Sequence, residues 1–253
     1  MGLRRYGLRD DQWDRIKDFL PGRSGTEGRP ARDNRLFVEA VLYRYRAGIP
    51  WRDLPERFGD FRVVHTRFTR WSERGIWKHV LEHLSRDANK EYAMIDATIL
   101  RAHQHARELA KRGGKQALGR SKGGLSTKIH VTVDALGNPT GVHLTGGQAC
   151  ELDGADVLLP QLQARIVIAD KGFDAEARVL EPLREAGKQA VIPPRAKRLQ
   201  PRTYDKELYK ARHLIENFLR QTQAVGAIAT RYDKTARNFL AAIHLACAYL
   251  SLV

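Results

Sequence analysis

Apolar residues recur at helical spacing through the first part of the chain, as far as Leu84. The acidic pair Asp10 and Asp11 precedes the first apolar stripe, and Pro21 ends it. Glycine or proline separates several of the later stripes. The pattern therefore predicts an all-helical region over residues 1–90. The predicted helices are residues 10–20, 36–45, 53–58, 62–73 and 77–84.

The pattern changes after Glu91, where short β-branched and alternating runs appear between helical stripes. Three strands come first, and the second and third are joined by a hairpin turn at residues 136–139. Helices and strands then alternate, which is typical of a mixed α/β sheet. Residues 91–253 are therefore predicted to form an α/β domain with a mixed five-stranded sheet and flanking helices. The predicted strands are residues 92–100, 127–134, 141–145, 165–169 and 189–192, and the helices are 152–163, 174–186, 204–223 and 234–252.

Within the helical region, a short helix, a turn at Gly59 and an arginine-bearing helix follow one another. This order is that of a helix-turn-helix, in which the second helix contacts DNA. Arg62, Arg67 and Arg70 are the candidate DNA contacts on that helix. A helical subdomain that serves only for packing fits the same pattern, and the residues alone leave both interpretations open.

Charge adds a prediction about the partner. The 253 residues carry a formal net charge of +15, with a pI of about 10.1. The excess is concentrated in residues 101–128, with eight basic residues and one acid, and residues 195–212, with seven basic residues and two acids. Concentrated positive charge in turn-rich segments favours a polyanionic partner, most often nucleic acid. A solvated surface that promotes solubility is the plainer alternative.

Composition narrows the protein class further. Hydrophobic residues make up 42% of the chain, enough for packed cores. We find no run of about 20 apolar residues and no secretory signal, so we expect neither a membrane span nor export. The cysteines, Cys150 and Cys247, lie far apart, which argues against a thiolate zinc site or a disulfide scaffold. The sequence therefore predicts a soluble cytoplasmic protein.

Three acids stand at unusual positions. Asp96 interrupts an apolar strand, Asp170 directly follows another, and Glu216 lies in the middle of a helix. Each has a local explanation: a strand-end residue bonded to a loop, a helix cap, or an ion pair with Arg220. Together they are more informative, since strands and a following helix can bring three acids to one sheet edge. Carboxylate oxygens at such an edge suit Mg²⁺ or Mn²⁺, and two such ions catalyse in-line phosphoryl transfer.

At these residues the chain resembles bacterial insertion-sequence transposases of the DDE type, which have a ribonuclease H-like catalytic core. The resemblance covers nearly the whole chain. It rests on one block in the helical region and on four in the α/β region. These blocks are residues 48–59 (GIPWRDLPERFG), 94–98 (MIDAT), 119–130 (GRSKGGLSTKIH), 168–174 (IADKGFD) and 212–218 (RHLIENF).

The resemblance implies an activity and a set of roles. The enzyme would cut the ends of its insertion element, at the terminal inverted repeats, and join the 3′-hydroxyl ends to target DNA. It implies that Asp96, Asp170 and Glu216 hold Mg²⁺ or Mn²⁺, as two ions, and that a homodimer acts on paired ends. The implied DNA contacts are Tyr209 and Arg212, with Lys128 and Lys171 as candidate backbone contacts.

The resemblance also shows a departure. The family pattern around the glutamate is Tyr, two residues, Arg, three residues, Glu, six residues, Lys; here Tyr209, Arg212 and Glu216 match, and Gln223 stands at the Lys position. Gly226 also stands where a basic or bulky residue is expected. Two other functions therefore stay open: a non-catalytic or decayed DNA-binding protein, and a metal-dependent endonuclease that cuts without joining.

Overall fold

The computed structural model describes residues 7–22, 33–106, 116–196, 198 and 202–253. Its N-terminal part is helical, as predicted. It comprises α1 (Asp10–Asp14), α2 (Asn34–Ala47), α3 (Phe61–Glu73) and α4 (Ile76–Leu84), with a 3-10 turn at Lys17–Phe19. The helix predicted at 53–58 is instead two 3-10 turns, Trp51–Asp53 and Glu56–Phe58. Pro55 lies between them and lacks the amide proton that a continuous helix requires.

Local signals account for the ends of these helices. Asp33 precedes α2, and its side chain accepts a hydrogen bond from the amide of Leu36. The same helix ends at Gly48, whose φ of 70° lies in the left-handed region that glycine adopts readily. Asp60 caps α3 by accepting from the amide of Arg62.

The sheet of the second part is mixed. Its strands are β1 (Tyr92–Ala102), β2 (Gly119–Ser121), β3 (Gly124–Val133), β4 (Pro139–Gly146), β5 (Ile166–Ile168), β6 (Gln189–Val191) and β7 (Thr230–Arg231). The order is β2-β3-β1-β5-β6, with β4 paired to β3 and β7 paired to β1. β1 is antiparallel to β3 and parallel to β5 and β7.

The predicted α/β class is confirmed, but the predicted number of five strands is wrong, because the described residues form seven. The two additional strands are β2 and β7, which have three and two residues. Strands this short have no periodicity to detect, and each exists only because a distant strand supplies its hydrogen-bond partner.

The remaining helices follow or flank the strands. They are α5 (Leu152–Leu158), α6 (Glu181–Glu185), α7 (Lys206–Tyr209), α8 (His213–Gln223), α9 (Gly226–Ala229) and α10 (Ala236–Leu250). A π-helical turn at Glu176–Leu180 leads into α6, and a 3-10 turn at Lys210–Arg212 joins α7 to α8. In the part of the chain that the structure describes, no helix has the length and apolar character that crossing a bilayer requires.

The helical part and the sheet contribute to one apolar core. Phe68 and Trp77 of the N-terminal helices are buried in the same cluster as Phe239 of α10 and Met94 of β1. A buried polar contact joins the two parts as well, since the hydroxyl of Tyr45 lies 3.1 Å from each carboxylate oxygen of Asp233. This core holds the helical region against the sheet. The division into domains at residue 90 stays a prediction.

Candidate active site

Asp96 and Asp170 stand side by side at the end of the paired part of two parallel strands. Met94 of β1 pairs with Ile168 of β5. Asp96 lies two residues after Met94, and Asp170 lies two residues after Ile168. On this side of β1, pairing covers residues 92–94 with β5 and 101–102 with β7. The stretch between them carries Asp96, and side chains from the chain around α8 reach it.

Arg212 joins the first acid to the third. Its Nη2 atom lies 2.7 Å from Oδ2 of Asp96, and its Nη1 atom donates to Oε1 of Glu216, one helical turn further along. The other oxygen of Asp96 accepts a 2.8 Å hydrogen bond from the amide of Ala97. The side chain of Asp96 is 12% exposed and that of Arg212 is 19% exposed, so this contact is largely shielded from water.

The electrostatics of this group follow from burial and from neighbouring charge. Burial raises the pKa of Asp96, and the charges of Asp170 and Glu151 raise it further, against the opposing effect of Arg212. Burial on its own lowers the pKa of Arg212, but the charges of the surrounding groups, Asp96 first among them, give a net rise. The guanidinium is therefore the positive charge that balances the carboxylates here.

Asp170 also shapes the backbone that follows it. Its Oδ1 atom accepts a 2.7 Å hydrogen bond from the amide of Gly172, which begins the 3-10 turn Lys171–Phe173. The sequence had offered helix capping as the plainer explanation of this acid, and the cap is present. The charge of Asp170 nevertheless acts on both Asp96 and Arg212, so this acid belongs to the same electrostatic group.

Apart from Arg212, the three residues predicted to contact DNA near the acids, Tyr209, Lys128 and Lys171, differ in burial and in their partners. Tyr209 is half-buried, with its ring edge-on to Tyr204 at 5.5 Å. Burial raises its pKa, and the nearby charge of Asp170 adds to the rise. Lys128 on β3 is buried, and its ammonium donates a 2.6 Å hydrogen bond to the carbonyl of Ala149. Lys171 is exposed beside Asp170.

The three arginines of α3 differ in exposure. Arg62 and Arg70 are exposed, and Arg62 has its Nε atom 3.8 Å from the carboxylate of Asp60. Arg67 instead lies over the rings of Phe37 and Trp71, at 4.2 Å and 4.7 Å. Burial lowers the pKa of Arg67. The exposed pair is therefore available to a ligand, whereas Arg67 packs against α2 and its own helix.

The two departures from the family pattern have structural surroundings. The side-chain amide of Gln223 donates a 2.6 Å hydrogen bond to the hydroxyl of Thr98 on β1. Gly226 lies against the end of α2, where an added Cβ would come within 3.2 Å of the carbonyl oxygen of Arg46 and of the backbone of Gly48. A larger residue at position 226 therefore requires the backbone at the end of α2 to give way slightly.

The acids do not form a ready-made site for divalent cations. Among residues 7–22, 33–106, 116–196, 198 and 202–253, no three His, Cys, Asp or Glu side chains are close enough to hold a metal ion in their present positions. Arg212 explains why Asp96 and Glu216 are not close enough to share a metal ion, because its guanidinium lies between them.

The carboxylate oxygens of these acids are nevertheless hard donors, which suit Mg²⁺ or Mn²⁺. Two of them, from Glu151 and Asp170, border a space that a Cβ at position 172 would fill. The residues fit a divalent cation, provided that Arg212 moves.

Two acids near the site were not predicted as site residues from the sequence, although Asp174 ends the block 168–174. Glu151 precedes α5, where an acid is locally explained by the helix terminus. Asp174 is buried, and it accepts from the amide of Arg195 at 2.7 Å and from the guanidinium groups of Arg198 and Arg202 at 2.5 Å and 3.3 Å. It therefore anchors part of the basic segment 195–212. The sequence did not reveal the contacts of either acid, because their partners are distant along the chain.

A basic α/β chain with acids gathered at one sheet edge has the character of a nucleic-acid-cleaving enzyme. Family models agree with this class. Residues 89–251 match the family described as "Transposase DDE domain", and residues 8–81 match the family described as "Putative transposase of IS4/5 family". The first match alone spans more than half of the chain, so the chain belongs to the DDE transposase family. Transposases of this family act on DNA and generally depend on divalent metal ions.

Two curated relatives are similar to half of the chain. The "Uncharacterized protein y4sN" of Sinorhizobium fredii is 48% identical over 131 residues, which are 51% of this chain and 96% of the relative. The "Putative transposase for insertion sequence element IS6501" of Brucella ovis is 36% identical over 132 residues, 51% of this chain and 99% of the relative. No solved structure matches the chain significantly.

Proposed function

We propose that this transposase cuts the ends of an insertion element and joins the resulting 3′-hydroxyl groups to target DNA. The proposal is supported above all by Arg212, which links Asp96 to Glu216 while the charge of Asp170 acts on the same guanidinium. The three acids of the DDE pattern thus share one electrostatic environment, although they are separated widely along the chain. The mixed sheet with its flanking helices is consistent with a ribonuclease H-like core.

The reaction takes place at phosphorus in two steps of the same kind. In the first step a water oxygen bonds to the phosphorus at the element end, and the bond from phosphorus to the 3′-oxygen breaks. This releases a 3′-hydroxyl. In the second step that hydroxyl attacks a target phosphodiester, and the target's own 3′-oxygen leaves. The first step hydrolyses one phosphodiester bond and the second exchanges one phosphodiester bond for another, so no external energy source is required.

The chain's own residues would hold the reactants for these steps. Asp96, Asp170 and Glu216 would hold two Mg²⁺ or Mn²⁺ ions, which supply positive charge to the attacking and leaving oxygens. Arg212 would leave its carboxylate partners and bind the DNA phosphate, where its planar donors match two phosphate oxygens. Tyr209, close to Asp170 and Arg212, would position the same phosphate.

DNA binding would extend beyond the acids. Lys171 is exposed beside Asp170, and Arg195, which donates to the carbonyls of Lys171 and Gly172, adds positive charge near the site. Lys128 would add positive charge near the DNA backbone without contacting it directly, since its ammonium is already bonded to the carbonyl of Ala149. Arg62, Arg67 and Arg70 would belong to a helix-turn-helix in residues 1–90, with the two exposed arginines facing the DNA. A homodimer on paired ends and a cytoplasmic location complete the proposal.

The test uses purified full-length protein with a duplex of the element end, located from the inverted repeats that flank the gene. Asp96→Asn and Asp170→Asn should each abolish Mg²⁺-dependent cleavage while leaving binding of the duplex within about threefold of the wild type. Glu185→Asn is the matched control, since Glu185 is an exposed acid of α6. Failure of the wild-type protein to cleave with either Mg²⁺ or Mn²⁺ contradicts the proposal.

Gln223 favours a second candidate, a protein that binds element ends without cutting them, because it replaces the lysine expected in the family pattern. Binding with no cleavage identifies that function. Cleavage without strand-transfer products identifies the endonuclease. A steep fall of affinity with salt is expected of all three candidates, because phosphate contacts dominate each complex.

A further inference from the structure

Glu151 is a fourth acid beside the catalytic group. It immediately precedes α5, and its carbonyl oxygen accepts hydrogen bonds from the amides of Gly154 and Ala155, at 3.1 Å and 3.3 Å. The backbone of Glu151 is therefore held by the helix, and its side chain extends from a fixed point. That side chain is 36% exposed, which leaves it accessible to an ion from solvent.

Gly172 shows how close Glu151 comes to Asp170. A Cβ at position 172 would lie 2.6 Å from Oε2 of Glu151 and 2.8 Å from Oδ1 of Asp170. The two oxygens therefore border the same small space from different elements, and only a glycine leaves that space open. The charge of Glu151 also reaches Asp96, whose pKa it raises, after burial and together with Asp170.

Lys128 balances part of this charge. Its ammonium lies 4.0 Å from Oε1 of Glu151, and its side chain is 9% exposed. Four carboxylates, those of Asp96, Glu151, Asp170 and Glu216, thus face two basic side chains, those of Lys128 and Arg212. Lys171 and Arg195, whose guanidinium donates to the carbonyl of Gly172, also lie beside the group, so the four acids are balanced while Arg212 stays in place. If Arg212 leaves for a phosphate, negative charge is in excess and a divalent cation becomes favourable.

We infer that Glu151 is a further metal-facing carboxylate of the active site, which contributes with Asp170 to holding a divalent cation beside Gly172. This inference rests on the proposed function, since it concerns the cation of the same reaction. One oxygen of Glu151 faces Gly172 while the other faces Lys128. The ammonium, 4.0 Å away, is close enough to attract that second oxygen, although its hydrogen bond is to the carbonyl of Ala149.

The experiment measures Mn²⁺ binding to the full-length protein without DNA, by calorimetry or by electron paramagnetic resonance. Glu151→Gln keeps the shape of the side chain and removes its charge. Its affinity for Mn²⁺ should fall by about 10-fold or more, the loss typical when a supporting group of a metal site is changed. Glu151→Asp, which keeps the charge, should recover part of that loss. Glu185→Gln is the control and should bind as the wild type does.

The outcomes separate this inference from the proposed function. If Asp170→Asn binds Mn²⁺ weakly while Glu151→Gln binds within twofold of the wild type, the inference is wrong and the proposed function stands. A Glu151→Gln variant that loses thermal stability without metal yet keeps its Mn²⁺ affinity shows that Glu151 serves only Lys128, which also overturns the inference. If the wild type takes up no Mn²⁺, the metal chemistry of the proposed function fails as well.

Discussion

The side chain of Gln223 on α8 is bonded to that of Thr98 on β1, with 2.6 Å between the amide nitrogen and the hydroxyl oxygen. Thr98 lies two residues after Asp96 on the same face of the strand, and Gln223 lies two helical turns after Glu216. The bond therefore joins the two elements that carry the first and third acids. Gln223 therefore helps to set the distance between α8 and β1 at the site.

Removing this bond should loosen α8 from β1. We expect Gln223→Leu and Thr98→Val each to lower the free energy of unfolding by about 1 kcal/mol, the usual contribution of one hydrogen bond. The double variant should show a coupling of similar size, measured by urea denaturation. Gln221→Leu, at an exposed position of the same helix, is the control. Additive effects of the two substitutions would show that the bond contributes nothing.

Restoring the lysine of the family pattern should change DNA binding. Gln223→Lys adds one positive charge beside the site, so the affinity for an element-end duplex should rise and its dependence on salt should steepen by about one phosphate contact. Gln221→Lys adds the same charge on the exposed side of α8 and should change the slope less. Equal salt slopes for both lysine variants would place residue 223 outside the DNA interface.

Arg212 should compete with divalent cations. Without metal, Arg212→Met leaves Asp96 largely buried and unpaired, so we expect the free energy of unfolding to fall by about 2 kcal/mol in EDTA. Mn²⁺ should then stabilise this variant more than it stabilises the wild type, because no guanidinium has to be displaced. Arg237→Met removes an exposed pair with Glu73 and should change stability by less than about 1 kcal/mol. Identical stabilisation of Arg212→Met and wild type by Mn²⁺, in thermal melts, would contradict this competition.

A side chain at position 172 should displace the carboxylates beside it. Gly172→Ala places a Cβ within 3 Å of oxygens from both Glu151 and Asp170, so the turn or the carboxylates must move. We expect DNA cleavage to fall by at least about 10-fold, with duplex binding retained. Gly123→Ala is the matched control, since its Cβ would meet only the Ser121 hydroxyl at 3.8 Å. Full cleavage by Gly172→Ala would show that this space has no part in catalysis.

His130 should make stability depend on pH. It lies buried on β3 with Nε2 2.8 Å from the hydroxyl of Thr145, and burial, followed by the charges of His143 and Lys128, lowers its pKa to about 4. Between that value and about 6.5 the unfolded chain binds a proton that the folded chain does not. The stability contributed by neutral His130 is therefore lost as pH falls through this window.

Urea denaturation at pH 7 and pH 5 measures this effect. The loss attributable to His130 is about 2 kcal/mol, and His130→Gln should lose that much less on acidification than the wild type. His244, whose pKa burial also lowers to about 4, is unchanged in both proteins and cancels from the comparison. His79→Gln, at an exposed histidine, is the control. The same acid sensitivity in His130→Gln and wild type would exclude His130 as the cause.

The sequence was most informative where the cause of a structure is local. Asp33 and Gly48 mark the ends of α2, and both signals act within a few residues of themselves. Asp96 and Asp170 were also recognisable, since a carboxylate in or directly after an apolar strand is costly without a partner. β7 was missed because its two residues form a strand only against Arg101 and Ala102 of β1.

The sequence by itself therefore determined most helices, most strands, the basic character and the acids that stand out against an apolar background. Local hydrogen bonding and periodic burial set these features, and both can be read from neighbouring residues. Only the tertiary structure decided that Arg212 stands between Asp96 and Glu216, that Gln223 reaches Thr98, and that Glu151 faces Asp170. Such contacts depend on strand register and helix placement, which arise from packing across the whole chain.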